Sequence, residues 1–280
     1  FLRERFNETP VGKARSVLTI HNLRFQGICS IPHLKYWTGL PDWLFNYNVF
    51  KINEDEANMM KAGLAYADRI TTVSPTYAEE IQTGFYGEGL DAHLRYHAYR
   101  MVGIVNGIDV DIWNSRTDAL LTAPYSAEDV LWKKPENKRA LQERLGLEVN
   151  DGKFMIGLVS RLTDQKGLDL INAIFGDMMD DDTQVVILGT GDPKYEGAFR
   201  NYEYLYKGKV CAYIKYDESL AHQIYAGADA LMVPSLFEPC GLTQLIAMRY
   251  GTVPIVRETG GLKDTVGLYT RANEAEQALC

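Results

Sequence analysis

The segment 154–167 reads FMIGLVSRLTDQKG, and it decides the fold of the second half of the chain. It opens with a continuous apolar run, Phe154–Val159, and a polar turn leads from this run into an amphipathic stretch at 167–179. The same alternation continues, with apolar runs at 184–188, 210–214, 230–233 and 253–256 and amphipathic stretches at 196–206, 220–226 and 242–250. Continuous apolar strands that alternate with helices are typical of a parallel sheet covered on both faces. The sequence therefore predicts an α/β fold with a doubly wound parallel sheet.

The first half of the chain has a less regular pattern of the same kind. The expected strands lie at 16–20, 69–73 and 101–105, and the expected helices lie at 54–67 and 136–145. Ser74 is placed to cap a further helix that begins at Pro75. A polar Asn-Asp-Gly turn within 146–153 marks a boundary, so we predict domains at 1–148 and 149–280. The end, 269–280, has no pattern that closes a fold, and we expect the second domain to be truncated there.

The composition disfavours several classes of protein. With 29 Lys and Arg against 37 Asp and Glu, the formal net charge is −8, which argues against nucleic acid and anionic membranes as partners. No apolar run approaches the roughly 20 residues that span a bilayer. The four cysteines are scattered, so we expect neither a disulfide framework nor a cysteine-rich metal site and favour a reducing cytoplasm. The chain starts without Met and without a signal peptide, and we therefore expect a piece of a longer chain.

Two cations lie in the turn that follows the strand at 154–159. Ligands of open α/β sheets bind beyond the carboxyl ends of the strands, and Arg161 and Lys166 occupy such a position. A guanidinium fork and an ammonium point charge together suit a diphosphate. The alternative is that both are solvated loop cations, since charged residues are common in loops.

A second polar turn, 234–244, follows the strand at 230–233. Its helix start offers N–H groups to an anion, and Gly241 allows a ligand to approach the backbone closely. Glu238 is placed to accept hydrogen bonds from sugar hydroxyls, or else it is a stabilising carboxylate at a helix N-terminus. We interpret Cys240 as a packed residue rather than a nucleophile, because the sequence shows no base beside it.

Glycine-rich turns after two further strands complete this edge of the sheet. Gly189-Thr190-Gly191 is not a dinucleotide fingerprint, because the third glycine of that motif is absent. A second pair of glycines lies at 260–261. Cations, glycines, a helix start and a carboxylate on one edge predict a nucleotide-diphosphate site. Asp109 and Asp111 resemble a metal-binding D-x-D pair, but they follow an Asn-Gly turn, and we reject a metal there.

Four motifs resemble those of bacterial glycogen synthase and plant starch synthase. They are SRLTDQKGL at 160–168, FEPCGLTQ at 237–244, TGGL at 259–262 and TIHN at 19–22, and the resemblance extends over about 15–266. It implies two Rossmann-like domains that face each other across a cleft, the GT-B arrangement, with the first domain incomplete. It also implies transfer of glucose from ADP-glucose, or UDP-glucose in some members, to an α-1,4-glucan with retention at the anomeric carbon. No cofactor or metal is implied, and the oligomeric state stays open.

The resemblance assigns roles to individual residues. Those implied to hold the donor diphosphate are Arg161, Lys166, Leu242 and Thr243, and those implied to bind the glucose are His21, Asn106, Glu238, Cys240 and Gly241. Tyr216 is implied to stack on the nucleotide base, and the catalytic set is Arg161, Lys166, His21 and Glu238. The plainer alternatives are a structural histidine at 21, an edge aromatic at 216 and a simple turn at 106.

Two departures from the family pattern bear on the function. Many related glycosyltransferases have a second Glu at the position of Ile246. Glycogen and starch synthases commonly lack this Glu, so its absence here agrees with the resemblance. The family's N-terminal Lys-x-Gly-Gly-Leu loop is missing from this sequence. The expected activity is therefore a bacterial, cytoplasmic ADP-glucose-dependent glucan synthase, or a plastid one in a plant or alga. The alternatives are a related retaining glycosyltransferase with another donor and a non-catalytic glucan-binding remnant.

Overall fold

The computed structural model describes residues 1–270, which fall into two compact units, Phe1–Val105 and the chain from Asn106 onward. The predicted patternless end at 269–280 lies outside the described residues except for its first two positions. Both units contain a parallel sheet with helices, so the predicted α/β fold class is confirmed.

The first unit holds six α-helices, two short 3₁₀ helices (Asp42–Leu44 and Ala98–Arg100) and five strands in its described residues. The helices are α1 (Leu2–Arg5), α2 (Pro10–Lys13), α3 (Ile31–Thr38), α4 (Met59–Tyr66), α5 (Pro75–Glu80) and α6 (Asp91–Tyr96). The strands are β1 (Val17–Ile20), β2 (Ile28–Ser30), β3 (Glu56–Asn58), β4 (Arg69–Thr72) and β5 (Met101–Gly103). Strands β1, β4 and β5 form a parallel sheet in the order β1-β4-β5, and β2 pairs with β3 antiparallel.

Local capping signals explain both a confirmed and a wrong prediction in the first unit. The Ser74 hydroxyl accepts a hydrogen bond from the backbone N–H of Tyr77 at 2.9 Å, as the sequence predicts for the start of α5. The helix predicted over 54–67 is wrong in its first part, where β3 stands instead. Asn58 is extended and its side chain accepts the N–H of Lys61 at 2.9 Å, so α4 begins only after this cap.

The second unit, over its described residues, holds six α-helices, one short 3₁₀ helix (Asp164–Lys166) and five strands. The helices are α7 (Val130–Leu145), α8 (Leu168–Met178), α9 (Pro193–Leu205), α10 (Glu218–Gly227), α11 (Thr243–Arg249) and α12 (Gly260–Thr265). The strands are β6 (Phe154–Val159), β7 (Thr183–Leu188), β8 (Val210–Tyr213), β9 (Ala230–Val233) and β10 (Val253–Val256). All five strands are parallel in the order β10-β9-β6-β7-β8, and every residue of β7 is buried, as its continuous apolar run predicts.

The observed unit boundary differs from the predicted domain boundary between 148 and 149. Residues 106–148 pack with the second unit, because Tyr125, Leu141 and Leu147 belong to its hydrophobic core. The ammonium of Lys134 on α7 also donates to the carbonyl oxygen of Ala226 at the end of α10, at 3.0 Å. The polar turn before Phe154 is therefore a surface turn inside this unit rather than a linker between two units.

Helix α7 starts six residues before the predicted helix at 136–145, and Pro135 lies inside it. Proline lacks the N–H that would bond to the carbonyl group four residues earlier, which belongs to Leu131. Leu131 is 79% exposed, so solvent reaches this turn and the missing bond is tolerated.

Candidate active site

The predicted edge of the sheet exists in the second unit, where the turns after β6, β7, β8 and β9 meet. Two cavities open there, of about 310 and 140 Å³. Arg161 lines both of them and so lies where the two adjoin. The larger cavity also contacts Gly189, Thr190 and Tyr216, whereas the smaller one contacts Lys166. The structure thus brings residues from four separate turns to one edge, as open α/β sheets do at their ligand sites.

Glycines allow the turns to pack this closely. Gly167 ends the Arg161–Lys166 turn with φ +65°, and a Cβ there would lie 2.0 Å from the carbonyl oxygen of Pro234. A Cβ at Gly189 would lie 1.8 Å from the carbonyl oxygen of Ser160. Both distances are far below van der Waals contact, so only glycine permits these approaches.

A side-chain amide and backbone groups connect the turn after β6 to the turn after β9. The backbone N–H of Leu236 donates to the carbonyl oxygen of Gln165 at 2.9 Å. The Gln165 side-chain amide donates to the carbonyl oxygen of Phe237 at 3.3 Å, and Gln165 is itself buried. These bonds hold the segment that carries Lys166 against the segment that carries Glu238.

Lys166, which lines the smaller cavity, forms an ion pair with Glu238. The Lys166 ammonium lies 2.6 Å from Oε2 of Glu238, and the Ser235 hydroxyl donates to the same oxygen at 2.8 Å. Glu238 is only 7% exposed. Lys166 is therefore not a solvated loop cation. Glu238 likewise does not act as a carboxylate at a free helix N-terminus.

Arg161 differs from Lys166 in its surroundings. Its side chain is exposed, and within residues 1–270 it forms no ion pair. A guanidinium that faces two cavities without a carboxylate partner is available to an anionic ligand. The two cations therefore differ: Lys166 is paired with a carboxylate, whereas Arg161 is not.

The residues that lead into α11 differ in backbone conformation and exposure. Gly241 has φ +71°, the left-handed conformation that favours glycine, and Thr243 lines the smaller cavity. Leu242 precedes the helix and is 45% exposed. Cys240 is 5% exposed, and burial raises the pKa of its thiol, with a backbone hydrogen bond from Asn106 as an opposing, smaller effect. A buried, protonated thiol agrees with the interpretation of Cys240 as a packed residue.

The resemblance implies that Asn106 and His21 bind the glucose. Asn106 opens the second unit, and its backbone lies beside Cys240 while its side chain is exposed. His21 is exposed directly after β1 in the first unit. Its role at the site stays a prediction.

The Asp109 side chain has a structural role. It accepts hydrogen bonds from the backbone N–H groups of Asp111 and Ile112, at 2.9 and 3.0 Å. Over residues 1–270 no three His, Cys, Asp or Glu side chains are grouped in a way that could hold a metal ion.

Tyr216 lines the larger cavity together with an aromatic residue that sequence reasoning missed. Tyr216 is 87% exposed and follows β8 by three residues. Trp113 lines the same cavity although it comes from a loop near the start of the unit. The only local signal for Trp113 is its place shortly after the sequence Asn106-Gly107-Ile108-Asp109. An aromatic cavity that adjoins two cations is suited to a planar ring joined to a phosphate.

Comparisons with known proteins agree with this geometry. A family profile of the starch synthase catalytic domain matches residues 1–96, and one of group 1 glycosyl transferases matches residues 141–274. A glycogen synthase of Lachnospira eligens is 53% identical over 270 residues, which are 96% of this chain and 56% of that protein. A glycogen synthase of Lachnoclostridium phytofermentans is 49% identical over 92% of this chain and 54% of that protein.

A solved structure shows the same fold. The catalytic domain of starch synthase IV from Arabidopsis thaliana, bound to ADP and acarbose, superposes with a TM-score of 0.88 and 39% identity. The match covers 95% of this chain and 55% of that one. The GT-B fold type expected from the sequence is therefore confirmed.

This chain spans about half the length of the curated relatives that it matches. Among the helices of residues 1–270, none combines the length and the apolar character that crossing a membrane requires.

Proposed function

Because the chain belongs to the family of glycogen and starch synthases, we propose that the protein extends α-1,4-glucan. It transfers glucose from ADP-glucose to the non-reducing end of the polymer, with retention at the anomeric carbon. The observation that carries the proposal is the convergence of Arg161, Lys166 and Tyr216 on adjoining cavities at one sheet edge. The ADP and acarbose in the starch synthase IV structure support the same classes of donor and acceptor for this chain.

The cations act on the leaving group in this proposal. Cleavage of the bond between C1 of glucose and the phosphate oxygen leaves positive charge on the sugar and negative charge on the nucleotide. Arg161 and Lys166 stabilise the diphosphate as its charge grows, which lowers the barrier because the interaction strengthens in the transition state. Thr243 and the backbone around Leu242 add polar contacts from the start of α11.

Glu238 binds sugar hydroxyls in this proposal and does not attack C1. Its Oε2 already accepts hydrogen bonds from Lys166 and Ser235, which weakens it as a nucleophile and leaves Oε1 for a hydroxyl. A double displacement requires a carboxylate nucleophile and a second acid/base group. We therefore favour transfer on one face of the sugar: the C1–phosphate bond breaks, the acceptor oxygen bonds to C1, and its proton passes to the departing phosphate.

The test is transfer of radiolabelled glucose to glycogen by the complete protein, with ADP-glucose, UDP-glucose and GDP-mannose as competing donors. The proposal expects label in the polymer, with ADP-glucose as the best competitor. Preferred use of another donor would contradict the assigned donor. A glucosyl ester trapped on Glu238 would contradict the single-face mechanism.

The second candidate is a non-catalytic glucan-binding protein, which shares the fold of the relatives but transfers no glucose. It predicts that glycogen retains the protein on sedimentation while no label is transferred. The main proposal also predicts that His21 and Asn106 contribute to the sugar site. It predicts a cytoplasmic location as well.

A further inference from the structure

A buried polar cluster lies behind the larger cavity. Oδ2 of Asp118 lies 2.6 Å from Nδ1 of His222 and accepts the Tyr250 hydroxyl at 2.6 Å. The three residues are 6%, 3% and 0% exposed. Hydrogen bonds to a buried carboxylate are strong and directional, so the cluster fixes the orientation of the His222 ring. None of the three lines the cavity, so the cluster acts on the cavity only through a neighbour.

Trp113 is that neighbour. Its ring stacks on the His222 imidazole, with ring centroids 4.2 Å apart and planes inclined by 19°. The Tyr225 and Tyr250 rings meet it edge-on, at centroid distances of 5.7 and 6.5 Å. Three packed rings thus hold the indole, and its open part lines the cavity.

The cavity's lining combines charged groups with aromatic and apolar surface. The charged lining residues are Arg161, Lys215, Asp217 and Glu218, and the proposed donor diphosphate binds at Arg161 and the turn at Gly189. The aromatic and apolar surface comes from Trp113, Tyr216, Leu188 and Val159. A flat group attached to the diphosphate fits this surface, and two fused rings cover more of an indole than one ring does.

We propose that Trp113 is a specificity-determining residue for the purine base of the donor, and that His222 is a positioning residue that holds its indole. This inference rests on the proposed function and deepens it, because it assigns discrimination between purine and pyrimidine nucleotides to a residue outside the recognised motifs. The base contacts the ordered indole, and Tyr216 contributes the second aromatic surface.

The first test measures binding of ADP, UDP and inorganic pyrophosphate by calorimetry, on the full chain and on Trp113→Leu and Trp113→Phe. Pyrophosphate lacks a base, so it reports whether the phosphate half of the site is intact. We expect Trp113→Leu to raise the dissociation constant of ADP about tenfold and that of UDP about threefold. The dissociation constant of pyrophosphate should change by no more than a factor of about two. Trp113→Phe keeps a ring and recovers most of the ADP affinity.

Tryptophan fluorescence supplies a second readout. The other three tryptophans, Trp37, Trp43 and Trp132, are 71%, 62% and 68% exposed, whereas Trp113 is partly buried at the cavity. ADP therefore quenches the emission of the unchanged chain, and the quenching is lost in Trp113→Phe. Quenching that persists in Trp113→Phe would overturn the assignment.

His222 is tested through the ratio of UDP to ADP dissociation constants, which a merely structural role would not move. His222→Leu removes the stacked ring and lowers the ratio, whereas His222→Phe keeps a flat ring and restores it. Pyrophosphate binding again reports that the variants are folded. An unchanged ratio in His222→Leu would remove the positioning role.

The outcomes separate this inference from the proposed function. If the unchanged chain binds ADP but Trp113→Leu keeps the same ratio, or weakens all three ligands alike, the inference is overturned and the proposed function stands. If the unchanged chain binds neither nucleotide, the proposed function fails and the inference fails with it.

Discussion

The ammonium of Lys166 lies 2.6 Å from Oε2 of Glu238, and these two residues are the ones assigned to opposite ends of the donor. Lys166 is expected at the diphosphate and Glu238 at the sugar. The two charges neutralise each other, and the Ser235 hydroxyl donates to the same carboxylate oxygen. The ion pair therefore couples Lys166, which binds phosphate in the proposal, to Glu238, which binds sugar hydroxyls. A substitution of either residue is expected to affect binding at both ends of the donor.

Glu238→Gln should separate nucleotide binding from transfer. Removing the carboxylate charge leaves the Lys166 ammonium less neutralised, so ADP should bind about threefold more tightly. The sugar loses a charged acceptor at the same time, and glucose transfer should fall at least about tenfold. Calorimetry with ADP and the glycogen-labelling assay measure the two effects.

The matched control is Glu258→Gln, because Glu258 pairs with Lys263 and its side chain is 61% exposed. Glu258→Gln should change neither the ADP affinity nor the rate of glucose transfer. Weaker ADP binding by Glu238→Gln would contradict the account, since it would show that the carboxylate supports the phosphate end.

Lys166→Met should destabilise the second unit by about 2 kcal/mol, because it leaves a buried carboxylate without its cation. The double variant Lys166→Met/Glu238→Gln should recover more than half of that loss. Urea unfolding followed by circular dichroism gives the free energy of unfolding. The exposed pair supplies the control, and Lys263→Met should cost less than about 0.5 kcal/mol. Equal losses in the single and double variants would show that the pair is not coupled.

Gly167→Ala should remove both stability and ADP binding. The backbone has φ +65°, and the new Cβ would lie 2.0 Å from the Pro234 carbonyl oxygen, so the turns after β6 and β9 must separate. We expect a loss of more than about 3 kcal/mol in the free energy of unfolding. Gly146→Ala is the control: its φ is +67° but no atom lies within 4 Å of its Cβ, so it should cost only about 1 kcal/mol. Similar losses in the two variants would mean that φ strain alone explains Gly167.

The first unit should lose stability in acid because of His97. Burial, followed by the nearby Arg100 charge, lowers the pKa of His97 to about 4, and the side chain is 6% exposed. An unfolded histidine titrates near 6.5, so between about pH 6.5 and 4 the unfolded state binds more protons. Its contribution to stability is therefore complete above pH 6.5 and falls by up to about 3 kcal/mol as the pH drops to 4.

Unfolding in urea at pH 7 and at pH 5 measures this change. His97→Gln cannot titrate and keeps an acceptor for the Arg100 guanidinium, which donates to the His97 ring at 2.9 Å, so its pH dependence should be smaller. His33→Gln, at an exposed position, should leave the pH dependence unchanged. An identical pH dependence in His97→Gln and the unchanged chain would contradict the assignment.

Local patterns were sufficient to predict the sheet of the second unit and the turns at its edge. The bounds of β6 equal the predicted run, because the run Phe154–Val159 is flanked by Lys153 and Ser160. The N-cap at Ser74 was predictable for the same reason, since cap and helix are adjacent in sequence. The places of Arg161 and Tyr216 at one cavity follow from the rule that parallel strands end at one edge.

Other features depend on contacts that no local pattern reveals. Asp118 and His222 are 104 positions apart in the sequence, and neither lies in a motif that indicates the other. The sequence around Trp113 therefore gave no indication that its ring stacks on His222. The unit boundary was misplaced for a similar reason, because the loop residue Tyr125 joins the core through residues far along the chain.

The central claim is that Arg161 and Lys166 together form the diphosphate site of one nucleotide pocket. Calorimetric titration of ADP into the double variant Arg161→Ala/Lys166→Ala tests it most directly, with circular dichroism to verify the fold. We predict that the dissociation constant rises at least about 100-fold, because two charge-assisted contacts to the phosphates are lost. A folded double variant that binds ADP as tightly as the unchanged chain would contradict the account.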